Sequence, residues 1–509
     1  MKNILTIPNS AFFNVSKSFA ILLFSFLINY QYLYAQFNNN TWVFGAGAGI
    51  HWQGVPKTPT NFSSQVNWRN GVTNISDTSG ILLYATLLNN IIPINGYIWN
   101  KFHEPVAGAN LIKGNEWYNS GLFIPNPGND SIIYLFTASV NSSSPYGLYY
   151  TTANYKANID SGIVIQKNVM LNNLPAFDAL MAVRHGNGRD WWLIFQRWFP
   201  PNGTTLTNAY YLYLINEVGI NGPFNQSIGL DHTTGGGHLI FNNEGSKFAQ
   251  ISWKGQIQLC DFDRCTGQIT SFTAIQPEGP GPFPLLLTSC AFSPNERFLY
   301  VCEASLSTQP STIWQYDLTA ANIVNSKVGV GVFNDPNMGV HSILLAPDDK
   351  IYISTFDENY AWPYPDTSTA FTTINSNLSV INQPDSLGLA CDFQPFSFYL
   401  GGARTYYGLP NNPDYELGAW VGSPCDTLSV GVDDNVQEQE VFFQAWYNSE
   451  WDMIHVNASK LKGNKATLRL VDVEGRLVYE KETGVIAGGY VTSEINMKGI
   501  AKGCILLLY

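Results

Sequence analysis

A short phrase recurs along this chain and limits what it can fold into. Phe292 to Cys302 reads FSPNERFLYVC: a strand ends at Phe292, Pro294, Asn295 and Glu296 make a polar turn, and Phe298-Leu299-Tyr300-Val301 runs on as a second, wholly apolar strand. The phrase returns as LAPDDKIYIS around Asp348, FNNEGSKFAQI around Glu244 and RHGNGRDWWLIF around Asn187. It returns again as PNPGNDSIIYLFT around Gly128 and SDTSGILLYAT around Ser79. Successive turns lie roughly fifty residues apart, the spacing of units that stack side by side.

The second strands (ILLY, SIIYLF, WWLIF, RFLYV, KIYI) are apolar on both faces. A strand of a two-sheet sandwich should alternate, with one face wet. Strands apolar throughout normally lie in parallel sheets covered by helices, but helical periodicity is nearly missing here. Radially stacked antiparallel sheets resolve the conflict, because each is covered on both faces by its neighbours. The expected fold is therefore all-β, a β-propeller of seven blades, with six or eight as alternatives. Six blades carry visible turn phrases. The seventh is expected from Asp392 to Gly402 (DFQPFSFYLGG) joined to the N-terminal strands near Trp42, which would leave no open edge.

The domain boundaries read as follows. Residues 1–35 form a signal peptide: Lys2 and Lys17 precede an apolar run from Ser18 to Ile28, and Tyr34-Ala35 offers a cleavage point. The run is too short for a comfortable span, and no later segment is apolar enough to cross a bilayer. Residues 36–421 form the propeller and 422–440 an acidic, polar linker. Residues 441–509 form a small β-sandwich with clean alternation in TLRLVDV and a hairpin turn at Glu474-Gly475. Phe356 to Thr373 is expected as an exposed rim loop, and Gly45, Gly47 and Gly49 as a hairpin with close backbone packing rather than a phosphate loop.

Charged residues make up 13% and aromatic residues 14% of the chain, a balance that argues against disorder. The formal charge of −12 becomes −14 when the leader takes Lys2 and Lys17 away, and no basic cluster offsets it, so nucleic acid is excluded as a partner. Seven cysteines form an odd set, so at least one stays free. Cys290 faces Cys302 if the central hairpin loop has three residues, and Val301 if it has two. There is no Cys-x-x-Cys pair and no two histidines at metal-ligand spacing, so no metal site is expected. Glu303, Asp348 and Asp349 leave a loop calcium open, without the spaced ladder of a calcium loop; no other cofactor is expected.

In their order, TWVFGAGAGI, GLFIPNPGN, AVRHGNGRDWW, CDFDRCTG, FSPNERFLYV, IWQYDL, LAPDDKIYI and YYGLPN resemble a group of exported, WD-like β-propeller proteins of Bacteroidetes-type bacteria. The tail, LRLVDVEGRLVYEKE followed by GIAKGCILLLY, resembles the C-terminal sorting domain of the type IX secretion system. It departs from that pattern in lacking the opening Pro-Asn-Pro phrase and in stopping at Tyr509, short of the usual basic end, so the sorting domain reads as truncated. The resemblance implies the type IX machinery as a partner and a secreted or cell-surface location.

Chemistry is thinly marked. No Gly-x-Ser-x-Gly elbow or His-Glu-x-x-His helix occurs. Asp263 and Asp317 sit where WD-type propellers place a turn-tightening acid, and His185 sits on a turn beside Arg184, Arg189 and Asp190; all three are read as structural turn residues. No catalytic residue is assigned. The candidate binding residues are loop aromatics, Trp117, Tyr118, Trp198, Tyr360, Trp362 and Tyr364, whose flat rings suit sugar faces and protein hot spots and equally suit the spaces between blades. The expected function is a non-enzymatic binding or adhesion module for a glycan or surface protein. The alternative is a propeller hydrolase or lyase acting on extracellular polysaccharide through paired acids.

Overall fold

A computed structural model describes residues 4–6, 37–68, 72–77, 79–86, 96–114, 118–139, 147–198, 207–232, 236–277, 286–304, 310–360, 364–426, 442–448, 452–459, 465–471, 476–484, 491–498 and 505–508. The chain divides into two compact units, one of residues 33–428 and one combining 1–32 with 429–509.

The larger unit is a β-propeller. Its described strands fall into seven consecutive antiparallel meanders, six of four strands and the first of three. The first sheet comprises Thr41–Phe44, Ala46–Gln53 and Thr58–Asn67. The next six open with the inner strands Thr73–Asp77, Gly121–Pro125, Met181–Arg184, Gly237–Phe241, Leu286–Phe292 and Met338–Leu345. Sheets two and three are also linked by a parallel bridge, Ile163 to Ala107.

The doubly apolar strands lie where their chemistry requires. Trp191–Gln196 and Ile351–Asp357 are buried along their whole length. The buried clusters bridge adjacent sheets: Val340, Ile343 and Ile353 pack with Ala291 and Tyr300, and Phe177 and Ile194 pack with Leu239 and Phe248. The ring closes because Trp42, Ile50 and Trp52 of the first sheet pack on Tyr352, Leu378 and Val380 of the last, while Val43 and Val66 pack on Val72 and Tyr84 of the second. Burial of this kind stabilises by roughly 25 cal/mol per Å² of apolar surface removed from water.

Three expectations change. The strand Phe393–Tyr399 is the outer strand of the last meander, paired with Asn377–Ile381, and does not join the N-terminal sheet. The C-terminal contribution to closure is a bridge: Ala46 N–H donates to Arg404 O at 2.7 Å, and Arg404 N–H donates back to Ala46 O at 3.0 Å. That approach needs Gly45, whose φ is +57° and where a Cβ would lie 2.2 Å from Arg404 O. Secondly, residues 422–426, expected in the linker, are fixed to the ring by a Cys265–Cys425 disulfide. Thirdly, the 356–373 segment folds inward in part, with Phe356, Tyr364 and Ala370 buried. The register left open at the central hairpin is settled: Cys290 lies opposite Val301.

The smaller unit holds two antiparallel sheets. One orders Phe442–Asn448, Met453–Ser459 and Val491–Asn496; the other orders Ile4–Thr6, Ile505–Leu508, Lys465–Val471 and Leu477–Gly484. The hairpin turn expected at Glu474-Gly475 lies outside the described residues.

Candidate site at the axial channel

The inner strands surround a central channel, and the segment after the last sheet runs through it. Asn411 sits where these strands begin: its N–H donates to Val72 O at 2.8 Å, and its Nδ2 donates to Gly121 O at 3.0 Å and Leu180 O at 3.1 Å. Further on, Tyr415 is fully buried, with its hydroxyl donating to Phe123 O at 2.9 Å and its ring edge-on to Trp191. Where the inner strands end, Arg184 Nη2 donates to Tyr415 O at 2.7 Å, Arg264 Nη2 donates to Gly418 O, and Trp420 N–H donates to Gly186 O at 2.8 Å. The disulfide at Cys425 follows. Residues 409–420 are thus a strap threaded from one face of the ring to the other.

Beside the strap, at its exit end, lies a cavity of about 250 Å³. Inner-strand residues Met181 to Val183, Ile240, Phe241, Ala291 and Phe292 make its apolar wall together with Trp42. Its polar wall carries the amides of Asn39, Asn242, Asn243 and Asn412 and the carboxyls of Asp349, Asp414 and Glu416. Asn242 and Asn243 serve the turns: Asn242 Oδ1 accepts from Lys247 N–H, and Asn243 Nδ2 donates to Pro294 O. The other two amides are half committed. Asn39 Nδ2 donates to Pro413 O at 3.1 Å and Asn412 Oδ1 accepts from Asn74 N–H at 3.0 Å, while Asn39 Oδ1 and Asn412 Nδ2 are buried without a partner among the described residues. Water reaches Asp414 at the mouth, yet the walls crowd it and raise its pKa, against the pull of Arg184 and Arg264. Glu416, exposed at the mouth, is raised too by the crowding around it, with Lys57 opposing and Asp414 adding to the rise.

The opposite end is shut by side chains. Tyr118 packs 4.0 Å from the His341 ring centroid, and both rings contact Tyr407. Buried Asp178 accepts from Tyr118 N–H at 3.0 Å and Asn119 N–H at 2.8 Å, and burial outweighs these bonds to push its pKa up to about 7. His238 Nδ1 accepts from Cys290 N–H at 3.1 Å, and burial pushes that histidine down to about 4 and His341 to about 3.

The sequence-predicted aromatics separate. Tyr118 closes the channel as described. Trp198 is half-buried against the cluster between sheets four and five. Tyr360 donates its hydroxyl to Thr369 O, and buried Tyr364 donates to Thr405 O at 2.8 Å while packing on Tyr406. Trp117 and Trp362 lie outside the described residues. Among the turn residues, Asp263 Oδ1 accepts from the N–H groups of Cys265 and Thr266, and Asp317 accepts from Thr319 N–H and pairs with Arg297. His185 Nδ1 accepts from Asn187 N–H at 3.0 Å, which leaves Nε2 to donate to Cys265 O at 2.9 Å. Of the calcium candidates, Glu303 accepts from Trp314 Nε1 and Asp348 from the Tyr352 hydroxyl, and only Asp349 lines the cavity. No group of three or more His, Cys, Asp or Glu side chains suited to a metal ion occurs among the described residues. No described helix is long and apolar enough to cross a membrane.

No protein-family model and no curated protein matches the chain. Similar solved structures include the propeller of Dos1, with 13% identity over 62% of this chain and 72% of that one at a TM-score of 0.35. They also include regucalcin of Agrobacterium tumefaciens, described as a calcium-binding protein, with 12% identity over 67% and 92% at a TM-score of 0.32. A glucose dehydrogenase matches with 12% identity over 57% and 93% at 0.34. The likeness ends at the fold. Neither calcium binding nor sugar oxidation carries over to this chain from it.

Proposed function

We propose that this chain is an exported, non-catalytic propeller that binds a hydroxyl-rich ligand, a glycan end or the sugar of a surface protein, at the mouth of its axial channel. The observation that carries the reading is the two-sided cavity: an apolar wall with Trp42 faces amides and carboxyls. Alternating hydroxyl and C–H faces of a sugar suit such a pair of walls. The volume lies just under the usual span of ligand pockets, about 300–1,000 Å³, so one small unit fits rather than a long chain. Delivery by the leader and the type IX route, through the tail that resembles a sorting domain, belongs to the same proposal and rests on the sequence resemblance.

A second reading keeps one observation of its own. Asp414 and Glu416 stand two residues apart on the strap, both line the cavity, and both are shifted toward the protonated form that a general acid needs. Passing the full chain over a panel of immobilised polysaccharides, while assaying new reducing ends, separates the two. Retention without turnover is expected, weakened about tenfold or more by Asp349→Asn, the loss of one charged hydrogen bond of about 1.5–3 kcal/mol. Release of reducing ends that Glu416→Gln abolishes would replace binding with hydrolysis. Retention lost in Trp362→Ala and untouched by Asp349→Asn would move the site from the mouth to the rim.

A further inference from the structure

The strap is held along most of its length by hydrogen bonds and packing. The second unit joins the ring at two crossings, before residue 33 and after residue 428, and tension carried by the later crossing arrives at the strap's exit. The contacts there are small. Trp420 N–H bonds to Gly186 O, and Ser423 and Asp426 N–H groups bond back to Trp420 O and Ser423 O. Pulling from residue 427 loads these bonds one at a time, each worth about 1 kcal/mol net.

The disulfide sits at the one place that changes this path. Cys425 follows the strap, one residue before the described segment ends, and its partner Cys265 lies in the turn of sheet five between Ile257–Asp263 and Gln268–Gln276. That turn is braced internally and from the neighbouring sheet. Asp263 Oδ1 accepts from Cys265 and Thr266 N–H, while His185 of sheet four donates to Cys265 O. Gly186 N–H and Trp192 Nε1, also from sheet four, donate to Arg264 O at 3.0 and 2.9 Å, and Gln226 Nε2 donates to Gly267 O at 2.7 Å. A turn tied to two sheets by this many bonds suits an anchor better than a free loop does.

We propose that the Cys265–Cys425 disulfide is a load-bearing stop: it passes tension from the chain beyond residue 426 into sheets four and five, and so keeps the strap in the channel. The stop acts whatever ligand the mouth takes. It gives the chain a tethering role, in which the ring stays intact while the second unit is held or pulled.

Force spectroscopy on the full chain, held by one handle at the exposed Val55 of the ring and one at Tyr509, tests this with and without a thiol reductant. In the reduced chain an early low-force release should precede unfolding of the sheets. Its length should be roughly 60 Å, from residues 409–426 at ~3.5 Å each, less the distance they already span in the folded ring. The oxidised chain should lack that release, and the events of the second unit should appear in both. Cys425→Ser should behave as the reduced chain; if it fails to fold, reduction of the natural chain makes the same comparison. A crosslink that merely stabilises would shift the melting temperature and leave the order of mechanical events unchanged. Ring events that are identical in the oxidised and reduced chains overturn the proposal.

Discussion

The guanidinium of Arg264 is ringed by carbonyls: it donates to Arg184 O, Glu244 O, His185 O and Gly418 O, and no carboxylate pairs with it among the described residues. Burial lowers its pKa to about 10, which leaves it charged at neutral pH. Removing it strips donors from buried carbonyls, so Arg264→Met should lower stability by about 3 kcal/mol in urea titration, with the exit of the strap losing amide protection first. His238 carries the clearest pH signature at this scale. Its pKa falls from about 6.5 unfolded to about 4 folded, chiefly through burial, so the neutral ring's contribution is complete above pH 6.5 and drains as pH falls toward 4. The loss runs at about 1.4 kcal/mol per pH unit. His238→Gln, which keeps an acceptor for Cys290 N–H, should sit below the natural chain at pH 7 and converge on it by pH 4. Parallel stability curves would contradict this. Neither residue's environment was visible in the sequence, because partners 20 to 154 positions away, such as Glu244 and Gly418 for Arg264 and Cys290 for His238, meet only when the sheets assemble.

Hairpins were the legible elements. Turn chemistry at Asn187, Glu244, Glu296 and Asp348, followed by an apolar strand, is local information, and each such phrase became the connection from an inner strand to the next strand of its sheet. The closing sheet was misread for a physical reason: DFQPFSFYLGG has strand composition, and composition does not say which edge a strand joins. The strap was missed because YYGLPNNPDYELG has neither period, being fixed by single contacts at Asn411 and Tyr415 that leave no pattern. Gly45 tests the closure that replaced the expected one. At φ +57°, with Arg404 O 2.2 Å from where its Cβ would stand, Gly45→Ala must either break the Ala46–Arg404 bridge or shift the strap's approach. A loss of about 2–4 kcal/mol is expected from a clash and left-handed strain together, read as a lower urea midpoint. A loss under about 0.5 kcal/mol would mean that the bridge carries no weight in closure.

Across the whole molecule, the aromatic excess that suggested a binding rim went largely into the wedges between sheets and the two ends of the channel. Trp42, Trp52 and Tyr352 join the last sheet to the first, and Tyr118, His341 and Tyr407 close one mouth. The same ring geometry makes the disulfide's thermodynamic weight separable from its mechanical one. Its half-cystines are 160 residues apart, so chain entropy alone would give about 5 kcal/mol at 25 °C. Strap contacts such as Tyr415 and Arg184 form without it, and the reduced unfolded chain retains some structure, so the measured figure should be smaller, about 2–4 kcal/mol. Reduction or Cys425→Ser should therefore lower the melting temperature of the larger unit and leave the smaller unit's transition in place. The drop should also survive saturation with any mouth ligand, since binding adds its own stabilisation to both forms. A reductant effect confined to the smaller unit would mean that Cys425 contributes nothing to the ring's stability.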